Sequence, residues 1–288
     1  MEEIEQLKKR LDSNKYFFKV DRNYNQYSRT YYNTNENLRG YVRSLTGKKV
    51  LTVSSSGDQL LNILGCGSIE VDTFDINKYS PLIQNLKLYS IKYLDNISSI
   101  NFLDRLDKNM YLKFNAFIPD NEKQFFDCLF QYEIKDIYDK LFYYSLDNNK
   151  SNNNYFKLKT LNFIRKNIDR VKHSHYNCDI YDLYTFLDKK YDAIYLSNIS
   201  HYARDIDKFL NYLNYLRQYL NDDGKIYYGY LYEKYIYEPM RAIKNINSNF
   251  DVKFDKYKYR DILNHTEVLN IPCAEHRNKK DSVLVLRK

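Results

Sequence analysis

The sequence predicts an α/β fold, a mainly parallel sheet with helices on both faces. Three observations lead there. From residue 48 onward, strand-like and helix-like segments alternate. "KKVLTVSS" (48–55) is a continuous, β-branched apolar run, as expected of a strand buried on both faces. And in "VLTVSSSGDQLLNILG" (50–65) an apolar strand passes through a small polar turn into a short helix, before a second strand, "IEVDTFDI" (69–76), closes on Asp75.

Taken in order, residues 1–12 read as a helix, with Ile4, Leu7 and Leu11 at helical spacing. The following Tyr- and Asn-rich stretch has no clear period until "TNEN" (34–37), where Thr34 or Asn35 can cap a helix and Glu36 lie near its first amides. "DQLLNILG" (58–65) is a short helix ending at Gly65 or Gly67. "YSPLIQNLKLYSIKYL" (79–94) is a longer one, with Pro81 in its first turn. Residues 100–172 read as aromatic-rich helices, interrupted by "DNNKSNNNY" (147–155), expected as a mobile loop. The alternation then resumes. "HSHYNCDIYDL" (173–183) and "YDAIYLSNIS" (191–200) hold strands, and "ARDIDKFLNYLNYLRQYL" (203–220) is an amphipathic helix. "NDDG" (221–224) reads as a turn before the strand "KIYYGYLY" (225–232). "FDVKFDKY" (250–257) and "DSVLVLRK" (281–288) are two late strands joined by a polar connection. The division that results is an N-terminal helical arm or lid (1–47), a sheet domain (48–99 and 173–288) and a helical insertion (100–172).

Composition narrows the function classes. The 288 residues carry 45 Lys+Arg against 37 Asp+Glu, a formal charge of +8. An AT-rich coding bias accounts for that balance, since Lys, Asn, Tyr, Ile and Phe are all abundant. The 32 tyrosines are spread along the chain rather than gathered in a basic patch, which argues against a nucleic-acid partner. Mean hydropathy is −0.69, and no apolar run approaches the roughly 20 residues of a membrane span. The first residues lack the apolar core of a signal peptide. Cys66, Cys128, Cys178 and Cys273 lie far apart without a CxxC pair, as expected of reduced thiols in a cytoplasmic protein with no metal site. His173 and His175 read as residues of a strand rather than metal ligands.

In a doubly wound sheet, ligands lie beyond the carboxyl ends of the strands. The first strand ends near Val53, so Ser54, Ser55 and Ser56 supply hydroxyls there and Gly57 permits close backbone approach. Asp75 follows Gly57 by 18 residues, close to the spacing at which a carboxylate accepts the hydroxyls of a ribose. One glycine where the dinucleotide fingerprint has three serves a pyrophosphate poorly. An adenosine ligand without phosphates fits better, which favours S-adenosylmethionine over NAD. Asp179, near the end of the third strand, can accept from an adenine amino group. Ser197, Asn198 and His201 close the fourth strand on the same side. Asn198 can hold the methionine part or a substrate group, and His201 can act as a general base. Tyr24, Tyr27, Tyr31 and Tyr32 can fold over the ligand as a lid and shape the acceptor site. Tyr32, Asn198 and His201 are therefore the catalytic candidates.

"VLTVSSSGDQLLN", "DTFDIN" and "YDAIYLSNIS" resemble the class I S-adenosylmethionine-dependent methyltransferase fold. Within it they are most similar to the S-adenosylmethionine:diacylglycerol 3-amino-3-carboxypropyl transferases and their bacterial relatives. The "SSGD" turn and the "DIN" after the second strand are the specific points, with "TNENLRGYV" ahead of the first strand. The resemblance covers residues 30–95 and, less closely, 176–202. It implies a Rossmann-like, seven-stranded sheet whose last strand is antiparallel. It also implies cofactor contacts at Ser54–Asp58 and Asp75, with Asn77 beside them and Asp179 near the adenine. The chain is short for the lipid-forming enzymes and shows no Lys- or Arg-rich amphipathic helix, which points away from diacylglycerol as acceptor. Attack at the cofactor's methyl group or at its methionine-side CH₂ gives methyl or aminocarboxypropyl transfer, and sequence leaves both open. The rival readings are a non-catalytic S-adenosylmethionine-binding protein and a nucleic-acid-binding module.

Overall fold

The computed structural model describes residues 2–13, 29–43, 45–143, 149–201, 205–247, 257–273, 276 and 278–288. Seven strands form the central sheet: β1 (Lys49–Val53), β2 (Glu70–Asp75), β3 (Lys172–Asn177), β4 (Tyr191–Tyr195), β5 (Leu220–Leu231), β6 (Thr266–Pro272) and β7 (Lys280–Arg287). Their order is β3-β2-β1-β4-β5-β7-β6. All neighbours are parallel except β7, which runs antiparallel to both β5 and β6. This is the seven-stranded, Rossmann-like layout that the resemblance implied. The chain leaves β1 toward one edge through β2 and β3, then returns to build the other half from β4. A crevice therefore opens between the ends of β1 and β4, where ligands bind in such sheets.

Alternation along β1 builds the two faces. Val50 joins one apolar core, with Leu60, Leu61 and Leu64 of helix α2 (Asp58–Gly65). Leu51 and Val53 join the other, with Phe209, Leu210 and Leu213 of the helix Ile206–Leu216. Burying both faces explains the unbroken apolar run. Helix α3 (Tyr79–Tyr93) follows β2, with Pro81 in its first turn as expected.

A third apolar cluster joins the arm to the insertion. Leu7 and Leu11 of the N-terminal helix (Glu2–Leu11) share it with Phe126 and Leu129 of the helix Asp120–Leu129 and with Ile137 and Leu141 of Ile134–Leu141. Thr30–Tyr31 then pairs in parallel with Phe142–Tyr143.

Four segments differ from their sequence reading. Asn37, rather than Thr34 or Asn35, caps the helix Leu38–Tyr41, its side chain accepting from the Gly40 amide. "NDDG" lies inside β5, where the register with β4 shifts between Tyr191 and Ala193. The strand before β7 is Thr266–Pro272, within the stretch read as a polar connection. Most of "FDVKFDKY" lies outside the described residues. The described part of "DNNKSNNNY" is held rather than loose. Asn153 is buried and its Oδ1 accepts from Asn62 Nδ2 at 2.7 Å, while the Asn154 amide donates to Asn62 Oδ1 at 2.8 Å.

Candidate functional site

A cleft of about 910 Å³, counting its open mouth, lies at the crossover point of the sheet. Its walls come from the ends of β1 (Val53, Ser55), β2 (Phe74, Asp75, Asn77) and β3 (Cys178 to Tyr181), the turn after β4 (Ser197, Asn198, Ile199), Phe209, and the arm residues Arg29 to Tyr31. Six of the ten cofactor candidates line it together: Ser55, Asp75, Asn77, Asp179, Ser197 and Asn198.

The first two strands are stapled at their ends. The Ser55 amide donates to Asp75 Oδ2 at 2.8 Å and the Asn77 amide to Asp75 Oδ1 at 2.9 Å. Burial raises the Asp75 pKa above the usual aspartate value, against the opposing pull of these amides and the Ser80 hydroxyl. Ser55 holds φ +46 and Ser197 φ +54, left-handed conformations that a serine seldom adopts. Two such residues facing one cleft are a concentration of backbone strain of the kind found at ligand sites. Asn77 Oδ1 accepts from the Tyr79 amide, opening α3, while its Nδ2 donates to the Arg29 carbonyl at 2.7 Å. Asp179 Oδ1 accepts from the Tyr181 amide at 2.9 Å. Cys178 belongs to the wall, and burial pushes its thiol up to about 12, so it stays protonated and inert at neutral pH.

The remaining members of "SSSGD" face inward. Ser54 Oγ donates to Gln84 Oε1 at 2.9 Å, and Ser56 Oγ accepts from the Asp58 amide at 3.3 Å. Gly57 has φ +79, and a Cβ there would stand 2.8 Å from Gln84 Cα. Its freedom is spent on the close packing of α3, not on a ligand. The Asp58 carboxylate is fully buried, 2.6 Å from Lys87 Nζ. It also accepts from the Tyr155 hydroxyl at 2.7 Å and the Thr34 amide at 2.6 Å. The side chains of Ser54, Ser56 and Asp58, expected at the cofactor, are thus engaged in the protein's own interior.

Of the catalytic candidates whose side chains are described, Asn198 lines the cleft and Tyr32 does not. Tyr32 is fully buried and its hydroxyl donates to the Phe102 carbonyl, and of the described lid candidates it is Tyr31 that reaches the wall. His201 ends the short helix Ile199–His201, and its side chain, like all of Tyr24 and Tyr27, lies outside what is described. Thr30 ties the arm to the site, its hydroxyl meeting Ser80 Oγ at 3.1 Å and the Ser55 carbonyl at 3.4 Å.

Sequence reasoning placed Glu36 only near the first amides of a helix. Its buried carboxylate accepts from the Ser197 hydroxyl, and from the Tyr41 hydroxyl at 2.6 Å. Burial, opposed by these donors, pushes its pKa up to about 7. Among the described residues no three His, Cys, Asp or Glu side chains gather as metal ligands, and no helix is long and apolar enough to cross a membrane.

No family model matches the chain, and no curated protein does. Solved structures with a similar layout include the N-methyltransferase NodS from Bradyrhizobium japonicum WM9 in complex with S-adenosyl-l-homocysteine. It is 8% identical over 99% of this chain and 97% of that one, with a TM-score of 0.43. An rRNA methylase from Streptococcus thermophilus is 8% identical over 85% and 89%, TM-score 0.37. A methyltransferase from Pyrococcus furiosus is 11% identical over 87% and 79%, TM-score 0.37. At such identities and scores the likeness is one of layout only.

Proposed function

We propose that the chain is an S-adenosylmethionine-dependent transferase that moves a methyl or a 3-amino-3-carboxypropyl group to a small acceptor. The observation that carries this reading is the Ser55–Asp75 staple across the ends of β1 and β2, on the wall of a cleft at the sheet's crossover point. The cleft's chemistry suits that cofactor. Among the described residues its charged lining is Asp75, Asp179 and Arg29, and the Arg29 guanidinium is engaged by the Asp139 and Phe142 carbonyls, a balance that favours a sulfonium-bearing nucleoside over a diphosphate.

Phe74, Ile180 and Phe209 offer apolar surface to an adenine, with Asp179 placed to accept from its amino group. Asp75, oriented by the Ser55 and Asn77 amides, is the acceptor for ribose hydroxyls. When bound, the cofactor supplies a carbon activated by its sulfonium centre. The chain's own part is to hold an acceptor in line with that carbon and to exclude water. Arg29, Thr30 and Tyr31, pinned to Ser55, Ser80 and the insertion strand, form the wall of the lid. Asn198 orients the acceptor or the methionine end, and His201 takes the acceptor's proton. In this reading the arm (1–47) and the insertion (100–172) frame a site carried by the sheet domain.

Calorimetric titration with S-adenosylmethionine, and separately with NAD, tests the reading. Wild type is expected to bind the first alone. Asp75→Ala should lose about 10- to 100-fold in affinity, as for removal of charge-assisted hydrogen bonds, and should stay folded with a melting temperature lowered by about 2–5 °C, since the Ser55 and Asn77 amides lose their acceptor. Equal affinity in the variant, or binding of NAD instead, would refute it. Cofactor labelled in the methyl or in the carboxypropyl carbons, incubated with a small-molecule extract, then tells which group moves. Binding with neither label transferred would favour the non-catalytic alternative.

A further inference from the structure

Glu36 belongs to the arm and lies behind the cleft wall, yet it holds the end of β4. One carboxylate oxygen, Oε1, accepts from the Ser197 hydroxyl, and Oε2 accepts from Tyr41. Its neighbour Asn35 acts on the same turn. Asn35 Oδ1 accepts from the Tyr232 hydroxyl at 2.8 Å, and that hydroxyl receives Asn198 Nδ2 at 3.4 Å. The Ser197 hydroxyl and the Asn198 side chain are therefore both held from the arm. The grip falls on a turn that needs support, because Ser197 stands at φ +54 without the freedom of a glycine.

We infer that Glu36 is a positioning residue, which fixes the strained Ser197–Asn198 turn in the one geometry that presents Asn198 to a bound cofactor. This rests on the reading of the cleft as an S-adenosylmethionine site. As a carboxylate, Glu36 can accept from both hydroxyls at once. As a carboxylic acid it becomes a donor at one oxygen, and Ser197 or Tyr41 must turn away to receive it. The titratable groups facing it are Tyr41 on its own segment, Tyr230 of β5 and Asp281 of β7. Asp281 accepts from the Tyr230 hydroxyl at 2.5 Å and supplies the anionic neighbour that favours protonation of Glu36. Protonation near neutral pH should thus loosen the turn, and cofactor affinity should rise with pH through about 7.

The test compares wild type, Glu36→Gln and Glu36→Ala. S-adenosylhomocysteine is titrated by calorimetry from about pH 5.5 to about pH 8.5, and the Asn198 backbone amide is followed by nitrogen-15 NMR over the same range. Glu36→Ala is expected to lose about 10- to 100-fold in affinity. Glu36→Gln, the mimic of the protonated form, should match wild type at the acid end, fall behind it at the alkaline end and lose the rise between them. A merely structural role would lower the melting temperature but leave the shape of the pH profile unchanged. Identical profiles in wild type and Glu36→Gln would overturn the inference. If wild type binds no S-adenosylhomocysteine at any pH, the cofactor reading falls and the role with it. The amide then still reports on the clamp itself: a shift titrating near pH 7 in wild type and absent in Glu36→Gln upholds it, and a flat response in both disproves it.

Discussion

Replacing Lys87 by Met would strand a buried charge. The Asp58 carboxylate and the Lys87 ammonium are 2.6 Å apart, and neither side chain has any exposed surface. Burial pulls the Lys87 pKa down while Asp58 pushes it back up, so the Lys87 ammonium depends on its partner. In Lys87→Met, Asp58 keeps the Tyr155 hydroxyl and the Thr34 amide, two neutral donors facing a full charge. Breaking a buried pair from one side costs about 3–5 kcal/mol. With an unfolding entropy of ~2.1 cal/mol/K per residue, 288 residues give about 0.6 kcal/mol/K, so the melting temperature should fall by about 5–8 °C. Circular dichroism during heating reads this directly, and Asp58→Asn combined with Lys87→Met should recover part of the loss. The consequence reaches the cleft, because Lys87 also holds the Tyr32 carbonyl and Asn33 Oδ1 of the arm that carries Thr30 and Tyr31. Cofactor affinity should weaken in the same variant. A melting temperature within about 2 °C of wild type, equivalent to roughly 1 kcal/mol, would refute the claim that this pair is a keystone.

Three further outcomes follow from the structure. Gly57→Ala should cost about 1–3 kcal/mol, since its Cβ would meet Gln84 Cα at 2.8 Å and its φ is +79; a urea midpoint within error of wild type would contradict this. His175 is held neutral, its pKa pulled down to about 4 chiefly by burial and then by His173, with Nε2 enclosed and unpartnered. Below its unfolded pKa of about 6.5 the unfolded chain binds the extra proton, so stability should fall by about 1 kcal/mol per pH unit from there toward pH 4; His175→Gln should flatten that slope in urea titrations. Asp179→Ala should weaken S-adenosylmethionine binding about 3- to 10-fold without moving the melting temperature, and full retention of affinity in calorimetry would remove Asp179 from the adenine's partners.

Strands whose both faces are covered could be read directly. β1 and the core of β7 are unbroken apolar runs because helices pack on either side of them. β6 could not. It is an edge strand, paired with β7 alone among the described residues, and of its seven residues only Thr266 and Ile271 are buried, so "TEVLNIP" needs few apolar side chains and resembles a loop. "NDDG" misled for a related reason. Its polar residues sit where β5 slips against β4, and a strand can hold such residues at an irregularity without ending. The asparagine run at 152–154 shows the other limit. Composition marks it as loose, but Asn62 on α2 supplies the partner that buries it, about ninety residues away in sequence.

The site divides along the same line. Asp75 was legible because strand end and spacing place it, both local properties. In "SSSGD" the residue types were informative but their directions were not. The chain turns through Ser55 at positive φ, which leaves Ser55 facing the cleft and sends Ser54, Ser56 and Asp58 toward Gln84, the helix head and Lys87. Lys87 sits in an amphipathic helix where a lysine ordinarily marks the solvent face, and nothing local announces that it is buried. Glu36 is harder still, since its partner Ser197 lies 161 residues downstream. What "TNEN" and "SSSGD" share is that each looks like a local motif, a helix start or a ligand turn, while most of its side chains reach across the molecule. Thr34 meets Asp58, and Glu36 meets Ser197. The arm is therefore no loose appendage laid over a finished site. Its backbone completes the bonding of the first turn and its carboxylate the bonding of the fourth, so the two ends of the cleft are set by one segment, and a change in that segment should be felt at both.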